Sequence, residues 1–168
     1  LKDLPKALLI LVPRHLERFE KVRNIILKHD LSLASRSKKS EVTHLTEVLF
    51  GDTIGELNFL YSLSDVAFVG GSLIDHGGQN LLEPSAQKLA LLSGPSLRNF
   101  SDISDQLKEV EALEIVNDPQ ELSDKFLSFI QNQDILKKKG HAAFEIFQEN
   151  RGALKLILNH LDQAIEDK

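Results

Sequence analysis

The sequence has 168 residues, of which 42% are hydrophobic and 27% are charged, with a formal net charge of −5. This balance is typical of a folded globular domain and excludes disordered, collagen-like and coiled-coil chains. The lack of cysteine excludes thiolate zinc sites, iron–sulfur clusters and thiol nucleophiles, and no run approaches the ~20 apolar residues of a bilayer-spanning helix. Because the sequence contains no methionine, we expect it to be a piece of a longer protein.

Short apolar runs alternate with segments of helical spacing along the chain. The first run covers residues 7–12, and the next apolar positions recur at intervals of three and four residues, which predicts an amphipathic helix: Leu16, Phe19, Val22 and Ile26. Five further runs of strand length lie at residues 31–34, 48–50, 66–69, 89–92 and 113–116. Further helices are predicted after Gly51-Asp52-Thr53, over residues 81–87, over residues 100–110, and from Pro119 with Asp118 as the capping residue.

Six strands that alternate with helices predict an α/β fold, because parallel neighbours need crossover connections and helices supply them. We expect a Rossmann-like, doubly wound parallel sheet of about six strands that forms a single domain over residues 1–168. Residues 134–168 are predicted to be helical in two pieces, with a break near Asn150-Arg151-Gly152.

The charge is distributed unevenly. Residues 1–40 contain ten Lys or Arg and four Asp or Glu, a local charge of +6, which leaves −11 for the remainder. A nucleic-acid surface would usually make the whole domain basic, so we expect no nucleic acid among the partners and favour a small anionic ligand. The alternative is that lysines such as Lys2, Lys6, Lys21 and Lys28 only solvate the surface of the fold.

Ligands of open α/β sheets bind beyond the carboxyl ends of the strands. In this sequence the residues that follow the strands are mostly small, glycine-rich or basic, at 13–15, 35–37, 51–53, 70–72 and 93–95. We expect them on one rim, where helix N-termini, glycine backbone and cations suit a phosphate-bearing ligand. An anion explains Arg14 better than capping does, because a cation opposes the dipole at a helix start. Arg36 is a further candidate for an anion contact.

The segment 69–84 has the strongest ligand signal. Its glycine pairs, Gly70-Gly71 and Gly77-Gly78, allow the backbone to approach a ligand, with a spacing unlike that of known dinucleotide or phosphate loops. Glu83 at a helix start can accept hydrogen bonds from the two hydroxyls of a ribose. The alternative is a capping box of Asn80 and Glu83, against which Pro84 at the fourth helical position argues. Because no Asp-x-Asp motif occurs, we predict no metal site of that kind.

Five blocks resemble, in order and spacing, the C-terminal half of 3-deoxy-D-manno-octulosonic acid (Kdo) transferases across residues 7–160. They are Pro13-Arg14-His15-x-Glu17-Arg18-Phe19, Gly51-Asp52-Thr53-x-Gly55-Glu56-Leu57, Phe68-Val69-Gly70-Gly71-Ser72-Leu73, Gly77-Gly78-x-Asn80-x-Leu82-Glu83-Pro84 and Gly94-Pro95-x-x-x-Asn99-Phe100. The resemblance implies the donor-binding domain of a two-domain GT-B glycosyltransferase, whose N-terminal acceptor domain is absent from this chain.

The resemblance also implies transfer of Kdo from CMP-Kdo to a lipid A precursor (lipid IVA) in lipopolysaccharide biosynthesis, at the cytoplasmic face of the bacterial inner membrane. It places the donor on Pro13, Arg14, His15, Gly70, Gly71, Ser72, Asn80 and Glu83. No cofactor or metal is implied. The catalytic base and the membrane-associating segment would lie in the missing domain, so no catalytic residue is named. We expect this chain alone to be soluble and to lack transferase activity.

Two other functions fit the same residues. A UDP-sugar glycosyltransferase or epimerase of GT-B fold would also place a ribose-binding glutamate after a glycine-rich loop, and nucleotide preference separates it from the first interpretation. A nucleotide-binding module without catalysis is the other alternative, which the activity of the full-length protein would decide.

Overall fold

The computed structural model describes residues 7–166, with side chains described for residues 7–152. The chain divides into two compact units, residues 1–64 and 65–168. In the described part of the chain, no helix has both the length and the apolar character needed to cross a membrane.

The first unit contains a parallel sheet of three short strands, β1 (Leu9–Leu11), β2 (Leu33–Ser35) and β3 (Val48–Phe50), in the order β1-β3-β2. Two helices, α1 (Phe19–Lys28) and α2 (Leu57–Ser62), cover it. Side chains alternate between the faces of a strand, and the central strand β3 uses both faces. Val48 and Phe50 pack against Ile26 of α1, whereas Leu49 packs against Leu60 of α2. The two helices therefore bury opposite faces of this sheet.

The second unit contains β4 (Val66–Val69), β5 (Ala90–Ser93) and β6 (Leu113–Ile115), parallel and in that order. Its helices are α3 (Leu82–Ala86), α4 (Ser101–Glu109), α5 (Pro119–Gln131) and α6 (Gln133–Glu166). The core joins β5 to the last two helices through Ala90, Leu92, Val116, Phe129 and Leu136. The predicted start of α5 is confirmed, since the Asp118 carboxylate accepts from the backbone N–H groups of Gln120 and Glu121 at 2.8 and 2.9 Å.

The α/β class, the parallel pairing and all six strands are confirmed, and their boundaries differ from the predicted ones by at most two residues. The prediction of one six-stranded sheet is wrong, because the strands of residues 7–166 hydrogen-bond in two sets of three. Periodicity predicts how many strands form, whereas ladder pairing depends on which strand edges meet in space. The assignment of residues 1–168 to a single domain stays a prediction.

The predicted break near Asn150-Arg151-Gly152 is also wrong, because α6 continues from Gln133 to Glu166. The Asn150 amide donates to the Ile146 carbonyl of the preceding turn at 2.8 Å and to the Gln106 side chain at 3.0 Å. These bonds hold Asn150 within the helix, and a single glycine costs a helix only about 1 kcal/mol. The predicted helical residues 167 and 168 lie outside the described residues.

Gly140 lies where α6 meets the turn after α3. A Cβ at this position would be 1.9 Å from the Lys88 carbonyl oxygen. An alanine usually stabilises a helix over glycine by about 0.5–1 kcal/mol, but here the overlap is with backbone. We expect Gly140→Ala to lower the free energy of unfolding by about 1–3 kcal/mol, measured by urea unfolding with circular dichroism.

Gly152→Ala is the matched control in the same helix, because no described atom beyond its chain neighbours and the backbone of its own helix lies within 4 Å of the added Cβ. We expect it to raise the free energy of unfolding by about 0.5–1 kcal/mol. If Gly140→Ala and Gly152→Ala changed the free energy of unfolding in the same direction, the close approach at Gly140 would be contradicted.

Candidate functional site

The segment after β1 presents an exposed cation. Pro13 is half-buried, whereas Arg14 and His15 are exposed, and His15 precedes a 3₁₀ turn over Leu16–Arg18. The Nδ1 atom of His15 lies 4.0 Å from the Glu17 carboxylate. Among the residues that the structure describes, nothing forms an ion pair or hydrogen bond with the Arg14 guanidinium. An anion could therefore bind Arg14 without displacing an existing partner.

Arg36, the other predicted anion contact, already has a carboxylate partner. Its Nη2 and Nε atoms donate to the two carboxylate oxygens of Glu56 at 2.6 and 3.2 Å, and its guanidinium lies 5.4 Å from the centre of the Phe59 ring. The hydroxyl of Thr53 donates to the same carboxylate. These hydrogen bonds, chiefly that of Arg36, lower the pKa of Glu56 to about 2. An anion at Arg36 would have to compete with Glu56, so this contact stays a prediction.

Asp52 joins the loops after β2 and β3. Its carboxylate accepts from the hydroxyls of Ser35 and Ser37 at 2.7 and 2.6 Å and from the backbone N–H of Ser37 at 2.9 Å. Burial raises the pKa of Asp52, but these hydrogen bonds outweigh it and hold the pKa below its usual value.

The helix predicted after Thr53 begins only at Leu57, because Gly55 has a left-handed φ of 83°.

The glycine loop, residues 70–79, follows β4, and its two glycine pairs have different surroundings. A Cβ at Gly77 would be 2.5 Å from the Asn99 side chain, and one at Gly78 would be 2.7 Å from Leu97. Apart from the chain neighbours of Gly70, no atom of the described residues lies within 4 Å of a Cβ at that position. Gly71 has a φ of 72°, and a Cβ there would be 3.5 Å from the Gln79 side chain. Packing against Asn99 and Leu97 therefore accounts for glycine at positions 77 and 78, and the expected approach of Gly77-Gly78 to a ligand stays a prediction. In the first pair, Gly70 keeps an open side, and Gln79 lies beside Gly71.

Ser72 is fully buried at the start of this loop. Its hydroxyl donates to the Val69 carbonyl at 2.7 Å and accepts from the Gly94 N–H at 2.8 Å, which joins the glycine loop to the loop after β5. The hydroxyl proton of Ser72 is therefore already used within the protein. The contact of Ser72 with the nucleotide-sugar donor stays a prediction.

Asn80 and Glu83 contact each other at the start of α3. The Asn80 Oδ1 atom accepts from the Leu82 N–H at 3.0 Å, and its Nδ2 atom donates to the Glu83 Oε1 atom at 3.0 Å. Pro84 is the third helical residue, rather than the fourth as predicted. The first regular backbone bond is made by the Ser85 N–H, so Pro84 forfeits none and the argument against a capping arrangement is wrong. Within the described residues, Glu83 Oε2 has no hydrogen-bond donor, so it can still accept one.

Several side chains that shape these loops were not identified as functional from the sequence, among them Asp52, Glu56, Asp75, Ser96 and Arg98. Asp52 and Glu56 belong to one of the five blocks, so spacing marked them without revealing their partners. The sequence gives no indication of a function for Ser96, because serine is a common residue in loops. Its partners become visible only when the loops after β4 and β5 are seen together.

No protein-family model matches the chain. It is 38% identical over 167 residues to the 3-deoxy-D-manno-octulosonic acid transferase of Haemophilus influenzae, an alignment that covers 99% of this chain and 39% of that protein. It is 42% identical over 99 residues to the enzyme of the same name from Bordetella pertussis, which covers 58% of this chain and 23% of that protein. The chain thus spans less than half the length of these curated relatives.

Among solved structures, the chain is similar to the C-terminal CMP-Kdo binding domain of WaaA from Acinetobacter baumannii. The TM-score is 0.83 at 34% sequence identity, and the match covers 88% of this chain and 77% of that one. The similarity therefore extends over most of both chains.

Acid should weaken the first unit through Glu56. Because the pKa of Glu56 falls from 4.5 to about 2 on folding, the contribution of its pair with Arg36 is complete above pH 4.5 and is lost as the pH falls toward 2. In Glu56→Gln this titration is absent. We expect the midpoint temperature of unfolding to fall less steeply with decreasing pH in Glu56→Gln than in the wild type. Unfolding is followed by the fluorescence of Tyr61, the single tyrosine of the sequence.

Glu20→Gln is the control, because it removes an exposed carboxyl of α1 that forms no ion pair with the described residues. We expect this variant to keep the acid dependence of the wild type. Equal acid dependence of Glu56→Gln and the wild type would contradict the role given to the Arg36–Glu56 pair.

Proposed function

The chain belongs to the family of Kdo transferases, and on that premise we propose that it is the part of such an enzyme that binds the donor, CMP-Kdo. The observation that carries this proposal is the open side of Gly70 at the carboxyl end of β4. Ligands of parallel α/β sheets bind at that end, and a glycine such as Gly70, with no neighbouring side chain at its Cβ position, lets a ligand reach the backbone. The similar domain from Acinetobacter baumannii, named for CMP-Kdo binding, supports the choice of ligand.

The charge of the donor fits the cation after β1. CMP-Kdo carries a phosphate and a sugar carboxylate, and Arg14 is exposed and has no partner among the described residues. As CMP departs from Kdo, negative charge develops on the phosphate, and a cation already in place stabilises that charge in the transition state. We therefore assign the phosphate to Arg14, with Pro13 and His15 as neighbouring donor contacts.

Glu83 is proposed as the ribose contact. One oxygen of its carboxylate is held by Asn80 at 3.0 Å, which fixes the orientation of the group, and the other can accept a hydroxyl. Hydrogen bonds to a charged acceptor are stronger than those to a neutral one. Asn80 thus acts in this proposal by orienting Glu83 as well as by lying beside the nucleotide.

The complete reaction needs more than this chain. In the proposed enzyme the acceptor is a lipid A precursor, bound at the cytoplasmic face of the inner membrane by a part of the protein that is absent here. Positioning of the acceptor hydroxyl contributes about 7–11 kcal/mol to lowering such a barrier, and general-base assistance contributes about 10²–10⁴-fold in rate. Both contributions are assigned to that absent part, in keeping with the expectation that this chain alone is inactive.

The proposal is tested by measuring CMP binding to the wild type and to Gly70→Ala. Apart from the chain neighbours, the added methyl meets no atom of the described residues within 4 Å, so the free energy of unfolding should stay unchanged. A ligand against the Gly70 backbone would clash with the methyl, and we expect at least about tenfold weaker binding. The measurement is an NMR titration with CMP in the presence of EDTA, with UMP as the competing nucleotide.

Gly152→Ala serves as the glycine control far along α6, and its CMP affinity should equal that of the wild type. Failure of the wild type to bind CMP, loss of binding in EDTA, or a preference for UMP would each overturn the proposed donor. Chemical-shift changes that avoid residues 70–83 would overturn the proposed site.

Glu83→Gln tests the ribose contact separately. The substitution keeps an oxygen for Asn80 but removes the charge, and loss of a charged acceptor costs about 1.5–3 kcal/mol, or roughly 10–150-fold in affinity for CMP. The wild type should bind 2′-deoxy-CMP more weakly than CMP, whereas Glu83→Gln should bind the two ligands alike.

Glu109→Gln, at an exposed position on α4, is the control for removal of one negative charge and should keep the wild-type affinity. Equal binding of CMP and 2′-deoxy-CMP by the wild type would rule out the ribose role of Glu83, whatever the affinity of the variant.

A further inference from the structure

The loop after β5, residues 94–99, packs directly on the glycine loop. The Ser96 N–H donates to the Ser72 carbonyl at 3.0 Å, and the Asn99 N–H donates to the Gly77 carbonyl at 3.2 Å. These backbone bonds fasten the glycine loop near both of its ends. Asn99 and Leu97 occupy the space where a Cβ at Gly77 or Gly78 would lie, so the two loops pack closely at these glycines.

The hydroxyl of Ser96 is the junction of this contact. It accepts from the Gly77 N–H at 2.9 Å and donates to the Asp75 carboxylate at 3.2 Å. Arg98 forms an ion pair with the same oxygen of Asp75. Because both partners of that ion pair are largely exposed, it contributes little by itself. Ser96 is half-buried and bonds to both the backbone and a side chain of the glycine loop.

One further bond connects this junction to the glycine pair Gly70-Gly71. The Gly78 N–H donates to the Gly71 carbonyl at 3.0 Å, which closes the glycine loop on itself. The hydroxyl of Ser96 fixes Gly77, the neighbouring Gly78 fixes Gly71, and Gly71 is one of the two glycines to which the donor is assigned. Among the described residues, no hydrogen bond joins Ser96 to Gly70 or Gly71.

We infer that Ser96 is a positioning residue, whose hydroxyl holds the glycine loop in its binding shape through Gly77 and Gly78. The choice of CMP as ligand rests on the proposed function, whereas the effect on the loop does not. Binding to a loop that is already ordered avoids the entropy loss of ordering it. Without the hydroxyl, the Gly77 N–H loses its partner and the loop samples other shapes, so part of the binding free energy is spent on restoring it.

The test compares Ser96→Ala with Ser96→Thr, which retains the hydroxyl, and with Ser128→Ala, which removes an exposed hydroxyl from α5. Loss of one hydrogen bond corresponds to about three- to tenfold in affinity. We expect Ser96→Ala to bind CMP that much more weakly and to exchange the Gly78 amide hydrogen faster by a similar factor. Ser96→Thr and Ser128→Ala should match the wild type in both measurements, and amides of β5 should exchange as in the wild type in all three variants.

The inference is overturned when Ser96→Ala leaves the exchange of the Gly78 amide unchanged. It is also overturned when exchange rises equally at Gly78 and throughout β5, because the hydroxyl then serves only global stability. When the wild type fails to bind CMP, the proposed function fails, and the exchange of Gly78 still decides whether Ser96 orders the loop.

Discussion

The second unit depends on the close contact between the glycine loop and the loop after β5. A side chain at Gly94 would place its Cβ 2.3 Å from the carbonyl carbon of Ser72, and the buried Ser72 hydroxyl bonds to the backbone on both sides of this contact. Backbone polar groups buried at this contact must find partners within the protein. They do so because Gly94 allows the two loops to approach, and this contact sets the shape of the loop in which Gly70 faces open space.

The first unit shapes its loops by a different means. Side-chain networks replace close backbone contact there, with Asp52 bonded to two serines and Arg36 bonded to Glu56 on both carboxylate oxygens. In such networks each charged group already has a partner within the protein. A ligand that binds such a group must therefore compete with that partner. Arg14 differs from Arg36 in this respect, although sequence alone placed both cations at strand ends.

Periodicity and turn chemistry were sufficient to predict the elements, because strand runs such as 66–69 and the Asp118-Pro119 helix start are local signals. Contacts between segments distant in sequence were not predictable in this way. The pairing of Arg36 with Glu56 joins residues twenty positions apart, and the filling of space beside Gly77 depends on Asn99 of another loop. The continuity of α6 was missed for the same reason, since Asn150 bonds to Gln106 of α4.

Motif residues of a family therefore divide into two physical groups. Gly51, Gly77 and Gly94 have their Cβ positions occupied by neighbouring atoms, so their presence follows from packing and does not require a ligand. Gly70, Arg14 and Glu83 retain open space or an unused polar atom, which packing does not explain. A motif glycine whose substitution abolishes binding is thus not by itself a ligand contact. The distinction lies in whether substitution changes affinity while the free energy of unfolding stays constant.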